Sequence, residues 1–298
     1  MKIVHVLPSL ARGGGERLTI ELANRQVEAG HEVALVVGSR LPADLAHGGL
    51  DNRVETHFIT ADRGRMRYRA MLPWIWRRRA WLAAHDILHC HLTYGALFAA
   101  AFRKIGGPPR PAIVETYHAV GMPIPRQLRA LHARLASSLD GLTMMVDDPY
   151  WQDFSRRHPG IVSRTIPVGV DAPPKVSEAA RKAYRASRGI PEHAKVVTTI
   201  GRLVNERRPR SYISVFEAVS KALGQDVHFL MGGAGPERGV IEADAKAAGI
   251  GDQLHLPGLI TQIELPLSIS DLYLTANVGP TPGVAGLQAI AAGVPTIA

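Results

Sequence analysis

The amino-acid sequence predicts an α/β fold made of two doubly wound domains with parallel sheets, and three observations predict it. Short β-branched runs alternate with helical stretches along the chain, the rhythm of sheets covered by helices on both faces. The passage Val168-Gly169-Val170-Asp171-Ala172-Pro173-Pro174 breaks both helix and strand midway, and a second alternating series follows it. Glycine clusters at 13–15, 232–235 and 283–286 each fall where a strand hands over to a helix, as they do in Rossmann-like domains. The expected division is a first domain over 1–172 and a second over 173–298.

In the first domain strands are expected at 3–7, 32–37, 54–59, 87–90, 112–116, 142–146 and 164–167. The first is Ile3-Val4-His5-Val6-Leu7, closed at once by Pro8. Helices are expected at 16–29, 66–83, 94–103 and 125–138. Helix 16–29 carries one apolar stripe through Leu18, Leu22 and Ala29 and another through Ile20, Ala23 and Val27, which suits burial on two sides. Pro73 interrupts 66–83 and argues against one long amphipathic helix there. The second domain opens with the basic, helix-prone stretch 177–188. Its strands are expected at 195–200, 227–231, 253–256, 272–276 and 295–298, and its helices at 211–223, 236–248 and 284–292. The chain stops inside a strand, at Thr296-Ile297-Ala298, so the second domain reads as truncated at its C-terminus.

Composition narrows the classes. A 298-residue chain with 46% hydrophobic residues can bury two cores. Its single cysteine, Cys90, excludes an internal disulfide framework and fits a reducing, cytoplasmic setting. The N-terminal apolar run is too short for a signal peptide, and no stretch reaches the roughly 18 apolar residues of a membrane-spanning helix. A net charge of +9 favours anionic partners: phosphorylated ligands, acidic lipid surfaces or nucleic acid.

The candidate chemistry clusters at strand exits. Gly201-Arg202-Leu203-Val204-Asn205-Glu206-Arg207 follows the strand Val196-Val197-Thr198-Thr199-Ile200. Two permanently charged guanidiniums there suit a phosphate, and Gly201 permits a tight turn ahead of them. Gly14 and Gly15 precede a helix whose free N–H groups attract an anion, although the spacing is not a GxGxxG fingerprint. Gly235 and Gly283 sit in the two later glycine turns, the second leading to Gln288. His118 follows the strand Ile113-Val114-Glu115-Thr116 and is placed to meet a substrate hydroxyl. His89-Cys90-His91 resembles a metal cluster, but 89 and 91 share one strand face, Cys90 points away, and no third ligand is evident; no metal is expected. Asp147-Asp148 reads as a helix cap. Trp74 and Trp76 beside Arg77, Arg78 and Arg79 have the composition of a surface that meets anionic headgroups. The alternative is a basic helix on the outside of the sheet. No recognised nucleic-acid motif accompanies this charge, and nucleic acid is not an expected partner.

Taken together these residues resemble glycosyltransferase family 4, retaining sugar transferases of the GT-B fold. Gly13-Gly14-Gly15-Glu16-Arg17 is similar to the family's GGxER loop, Asp86-Ile87-Leu88-His89-Cys90-His91 to its D-I-V-H-x-H strand, and Thr116-Tyr117-His118 to its T-x-H. Ile166-Pro167-Val168-Gly169-Val170-Asp171 resembles I-P-N-G-V-D, with valine in place of asparagine. Gly201-Arg202-Leu203 with Arg207 resembles G-R-L-x-x-x-K, with arginine in place of lysine. The resemblance implies a nucleotide-diphospho-sugar co-substrate held by the second domain, a glycan or glycolipid acceptor held by the first, and ligand in a cleft between them. It implies no cofactor and no metal: the basic pair, Arg202 and Arg207, neutralises charge growing on the leaving diphosphate.

One departure stands out. The family's Glu-x7-Glu motif falls on Pro280 and Gln288, and no acidic residue occurs from Leu272 to Ala298. Gln288 keeps the capacity to hydrogen-bond a ribose hydroxyl but loses the charge assistance, about 1–2 kcal/mol. Three readings follow: a retaining glycosyltransferase acting on a cell-envelope acceptor at the inner membrane face, a homologue that binds without turnover, and an unrelated basic nucleotide-binding module.

Overall fold

The computed structural model describes residues 1–11, 13–42, 48–61, 66–105, 111–118, 126–276 and 282–298. The chain divides into two compact units, Met1–Pro167 and Val168–Ala298. In the first, the strands are β1 (Lys2–Leu7), β2 (Glu32–Ser39), β3 (Glu55–Thr60), β4 (Ile87–His91), β5 (Ala112–Tyr117), β6 (Gly141–Met144) and β7 (Val162–Thr165). The helices are α1 (Gly14–Glu28), α2 (Met66–Ala83), α3 (Leu92–Ile105), α4 (Arg126–Leu135) and α5 (Pro149–Arg157). In the second, the helices are α6 (Glu178–Ala186), α7 (Ser211–Leu223), α8 (Arg238–Ala247), α9 (Glu264–Ser268) and α10 (Gly283–Ala291). Its strands are β8 (Lys195–Ile200), β9 (Val227–Gly232), β10 (Leu254–His255), β11 (Leu272–Leu274) and β12 (Thr296–Ile297).

Both sheets are parallel. The first runs β3-β2-β1-β4-β5-β6-β7 and the second β10-β9-β8-β11-β12. In each, the order reverses beside the first strand, giving the doubly wound switch point that the alternating sequence predicts. β1 and β2 are buried along nearly their whole length because helices cover both faces. Val4, Val6, Leu88 and Cys90 pack on one face with Tyr94, Phe98 and Phe102 of α3. Leu7, Leu35 and Val37 pack on the other with Ala23 and Val27 of α1.

Three local expectations change. α1 buries only the stripe of Thr19, Ile20, Ala23 and Val27, while Leu22 is 38% exposed, so the helix has one covered face rather than two. α2 runs unbroken through Pro73. Met71 and Ile75 are buried on either side of the proline and Leu82 further along, and this packing offsets the lost backbone hydrogen bond. α5 and α9 were not expected as helices. Asp148 does serve as a cap, its Oδ1 accepting from the Tyr150 N–H at 2.8 Å, with Pro149 in the first turn of α5.

Candidate active site

The first unit brings two turns and one histidine to its switch point. After β1, Gly13 caps α1 in extended conformation, and the Arg17 N–H donates to the Gly13 carbonyl at 3.0 Å. The first-turn N–H groups of any helix lack partners within the helix and carry its positive end. Gly14 is exposed at this position. Gly15 lies on the His118 ring: a Cβ there would meet the ring at 3.2 Å, so glycine lets the turn rest on the imidazole. His118 follows β5 directly. The chain passes from β4 into α3 without a loop, through Leu92 at φ 62, a costly backbone state for leucine.

Behind His118 the structure assembles a group that the sequence reading missed. In parallel register, β1 sets His5 opposite His89, so His5, His89 and His91 share the α1 face while Cys90 is buried on the other. His5, His89 and His91 each offer a ligand-type nitrogen, all within 4.8 Å of one another. A third histidine is therefore present where the sequence showed only two. Ring contacts join His5 to His89, His5 to His91, His89 to His91 and His91 to His118, with centroids 4.3–5.2 Å apart. Burial pushes His5 and His118 down to about 4. Burial, then the charges of the neighbouring rings, holds His89 and His91 well below the ordinary imidazole value. At neutral pH the four rings are uncharged. His89 pairs with Thr116 at 2.6 Å, and Thr116 with Thr143 at 2.6 Å.

In the second unit the loop after β8 leaves the switch point beside β11. Gly201 N–H donates to the Gly232 carbonyl at 2.9 Å and Leu203 N–H to the Ala234 carbonyl at 3.0 Å, pinning the loop along the glycine turn after β9. Leu203 is buried, which leaves Arg202 exposed on its other side. A short 3-10 turn, Asn205–Arg207, brings Arg207 back, and the turn ends at Arg208 in the left-handed region, φ 47. Arg207 is pulled below the ordinary guanidinium value by partial desolvation, then by the Arg202 charge, with Tyr212 opposing. Arg202 and Arg207 thus lie on one loop, near enough for the Arg202 charge to act on Arg207.

Gly235 has a visible structural duty, since a Cβ there would lie 2.1 Å from the Leu203 carbonyl oxygen. Gly283 begins α10 at φ +75, and Gln288 on that helix is 4% exposed, on its packed side. Pro280 lies outside the described residues.

Comparison with known proteins settles the family. The pattern described as Glycosyltransferase Family 4 matches residues 12–172, and that of Glycosyl transferases group 1 matches 180–298. The chain belongs to glycosyltransferase family 4. A 2-deoxystreptamine glucosyltransferase of Streptomyces kanamyceticus is 30% identical over 243 residues, 74% of this family 4 chain and 60% of that protein. An alpha-monoglucosyldiacylglycerol synthase of Streptococcus pneumoniae is 25% identical over 144 residues, 46% of this chain and 32% of that protein. The chain therefore spans at most 60% of the length of these relatives in alignment. Among solved structures, Anabaena HepE in complex with UDP and glucose superposes with a TM-score of 0.78 at 17% identity, over 99% of this chain and 80% of that one. At that identity what is shared is the fold, two Rossmann-like domains of the GT-B type.

On α2 of this family 4 chain, the tryptophans and arginines singled out in the sequence are not all at the surface. Trp76, Arg77, Arg78 and Arg79 are exposed, and the Arg79 guanidinium lies 4.3 Å over the Trp76 ring. Trp74 is not a surface residue of that kind: it packs against the first unit's core and contacts His57, Trp81 and Phe98. Tyr68 and Leu72 take its place, giving exposed apolar groups at 68, 72 and 76, one per helical turn. Among the described residues no helix is long and apolar enough to cross a membrane.

Proposed function

We propose that this chain is a retaining glycosyltransferase that moves a sugar from a nucleotide-diphospho-sugar to a cell-envelope glycan or lipid-linked acceptor. The observation that carries the reading is the loop at the carboxyl end of β8, which bears Arg202 and Arg207 and is pinned against the glycine turn after β9. Guanidiniums at the carboxyl end of a parallel strand offer several N–H donors to phosphate oxygens, and a diphosphate leaving group fits them. The UDP complexes of the HepE fold and the sugar-transferring relatives support the same assignment. Gly14, Gly15, Gly201, Gly235 and Gly283 shape the turns on which donor groups rest, and His118 contacts a sugar hydroxyl. No metal or cofactor enters this proposal, because the two guanidiniums supply the positive charge.

Calorimetric titration with UDP-glucose, GDP-glucose and ADP-glucose tests the site. One of these donors is expected to bind with micromolar affinity, and Arg202→Ala to weaken it about 10- to 100-fold, the loss of one or two charge-assisted hydrogen bonds. Unchanged affinity in Arg202→Ala would remove the pair from the donor site. A second reading, binding without turnover, is favoured by glutamine rather than glutamate at 288. Transfer or hydrolysis of donor sugar by the chain and by Gln288→Glu separates the two: donor binding without turnover in both leaves only the binder.

The exposed face of α2 extends the proposal to a peripheral position on an anionic, inner membrane surface. Tyr68, Leu72 and Trp76 supply the apolar stripe, and Arg69, Arg77, Arg78 and Arg79 the charge. Co-sedimentation with phosphatidylglycerol vesicles is expected to fall with salt and to drop at least tenfold in Arg77→Ser/Arg78→Ser/Arg79→Ser. Sedimentation indifferent to lipid charge would count against it.

A further inference from the structure

The buried histidines are joined end to end, and the direction of their hydrogen bonds can be worked out. A neutral imidazole has one N–H donor and one lone-pair acceptor, so each ring that receives at one nitrogen must donate at the other. The chain begins on α1 at Gln26, whose Oε1 lies 2.7 Å from His5 Nε2. A carboxamide oxygen only accepts, so His5 donates there and its Nδ1 is the acceptor. His91 Nε2, 2.9 Å from His5 Nδ1, must then donate. His91 Nδ1 accepts in turn, and His118 Nε2, 2.8 Å away, donates to it. What remains is His118 Nδ1, a bare lone pair. It is buried and has no hydrogen-bond partner among the described residues.

We propose that Gln26, His5 and His91 are positioning residues that lock His118 in its Nε2–H tautomer, so that His118 Nδ1 presents a bare acceptor to a ligand hydroxyl. The proposal rests on the reading of the site as a sugar-transfer site and names which atom of His118 does the recognising and which residues set it. A lone pair attracts an O–H hydrogen and repels a phosphate oxygen, so the partner is a hydroxyl of the sugar portion, not the diphosphate. Burial favours the neutral rings and so keeps the relay intact. Nδ1 sits under Gly15, where a Cβ would come within 3.4 Å of it. A hydroxyl reaches it when that turn shifts, and glycine at 13, 14 and 15 removes side-chain obstacles to the shift. The same nitrogens are metal-ligand types, but the proton shared by His5 and His91 occupies the line a cation would need. Every nitrogen of the relay from Gln26 to His118 Nε2 is already used.

Imidazole 15N spectroscopy on the 15N-histidine-labelled chain reads the tautomers directly, with His118 assigned through His118→Gln. In the parent, His5, His91 and His118 are each expected to carry the proton on Nε2. Gln26→Met, which removes the acceptor at nearly constant volume, is expected to give a mixture of tautomers at His118. Gln26→Lys, which puts a donor where the acceptor was, is expected to move the His118 proton to Nδ1. The resonances of His57 and His85, in the first unit but outside the relay, should stay in place and report that its fold is intact. A His118 proton on Nδ1 in the parent, or a His118 tautomer indifferent to both substitutions, overturns the relay. So does zinc added to the parent displacing the His5 and His91 protons at stoichiometric concentration. Titrations with UDP-glucose and with UDP complete the test. Gln26→Met is expected to weaken the sugar nucleotide about 3- to 10-fold and to leave UDP unchanged. If the tautomer responds while neither affinity moves, the relay stands and the placement of His118 at the sugar falls.

Discussion

Gly233→Ala is expected to destabilise the second unit by more than about 4 kcal/mol and to abolish nucleotide binding, an effect of the rare, diagnostic size. A Cβ at this position would lie 1.8 Å from the Gly201 carbonyl oxygen and 2.9 Å from its carbon. Both are backbone atoms, so no rotamer change relieves the overlap. Gly233 also sits at φ +138, a region that L side chains enter at a cost of about 1–3 kcal/mol even in open space. The loop that would have to retreat carries Arg202, and it is held by the Leu203-to-Ala234 hydrogen bond and the Glu237 N–H donating to Leu203 at 3.1 Å. Gly235→Ala should behave similarly but less severely, because its clash with the Leu203 carbonyl at 2.1 Å comes without a positive φ. Gly239→Ala is the control. It occupies an exposed position on α8 with nothing within 4 Å of an added Cβ, and helix propensity should make the change neutral or stabilising by up to about 1 kcal/mol. Urea denaturation of the three variants, paired with UDP titration, orders them. A Gly233→Ala protein that unfolds with the parent would show that the two glycine turns are not in contact.

What could be seen in advance follows from range. β8 is legible because Val196, Val197, Thr198, Thr199 and Ile200 are contiguous and β-branched, and its exit is legible because Gly201 and Arg202 come next. The parallel, doubly wound plan follows from the alternation and from short connections. α5 had a local signal, Asp148 ahead of Pro149, but not a run of apolar periodicity long enough to register as a helix. α9 is only Glu264–Ser268 and contains Pro266, so its existence depends on Leu267 being buried against Tyr273 and Val294. α2 was misjudged at Pro73 because propensity argues locally, while Met71 and Ile75 act through tertiary burial.

The candidate site divides the same way. Arg202, Arg207 and His118 are strand-exit residues and could be named from sequence. Gln26 and His5 could not, since His5 meets His91 across 86 residues and Gln26 reaches it from the opposing helix. Only the β1–β4 register makes that meeting visible. Gly235 was named as a donor-binding residue, and its visible duty is to let the Leu203 carbonyl approach. That duty depends on a contact between two loops and has no signature in either loop alone.

His132→Leu is expected to cost about 3–5 kcal/mol, and Glu115→Leu/His132→Leu to recover most of it. Glu115 on β5 is 1% exposed and His132 on α4 is 2% exposed, with 3.5 Å between carboxylate oxygen and imidazole nitrogen. Neither Glu115 oxygen and neither His132 nitrogen has a hydrogen-bond partner among the described residues. Removing the histidine leaves a buried carboxyl group without its facing partner, whereas replacing both residues by leucine removes both polar groups and restores apolar packing. The Tyr117 and Trp151 rings pack edge-on around the imidazole, with centroids at 5.6 and 5.4 Å. Burial, and then the Glu115 charge, pushes the Tyr117 hydroxyl up to about 12. A double-mutant cycle in urea, followed by tryptophan fluorescence, measures the coupling, and strictly additive losses would show that the two groups do not act as a pair. The position of the pair gives the cycle a second readout. β5 carries Glu115 into the core and ends immediately before His118, so a strand loosened at 115 should also release the histidine at its tip. Donor affinity is therefore expected to fall with stability in His132→Leu and to return in the double variant, whereas a purely remote core defect would leave it unchanged throughout.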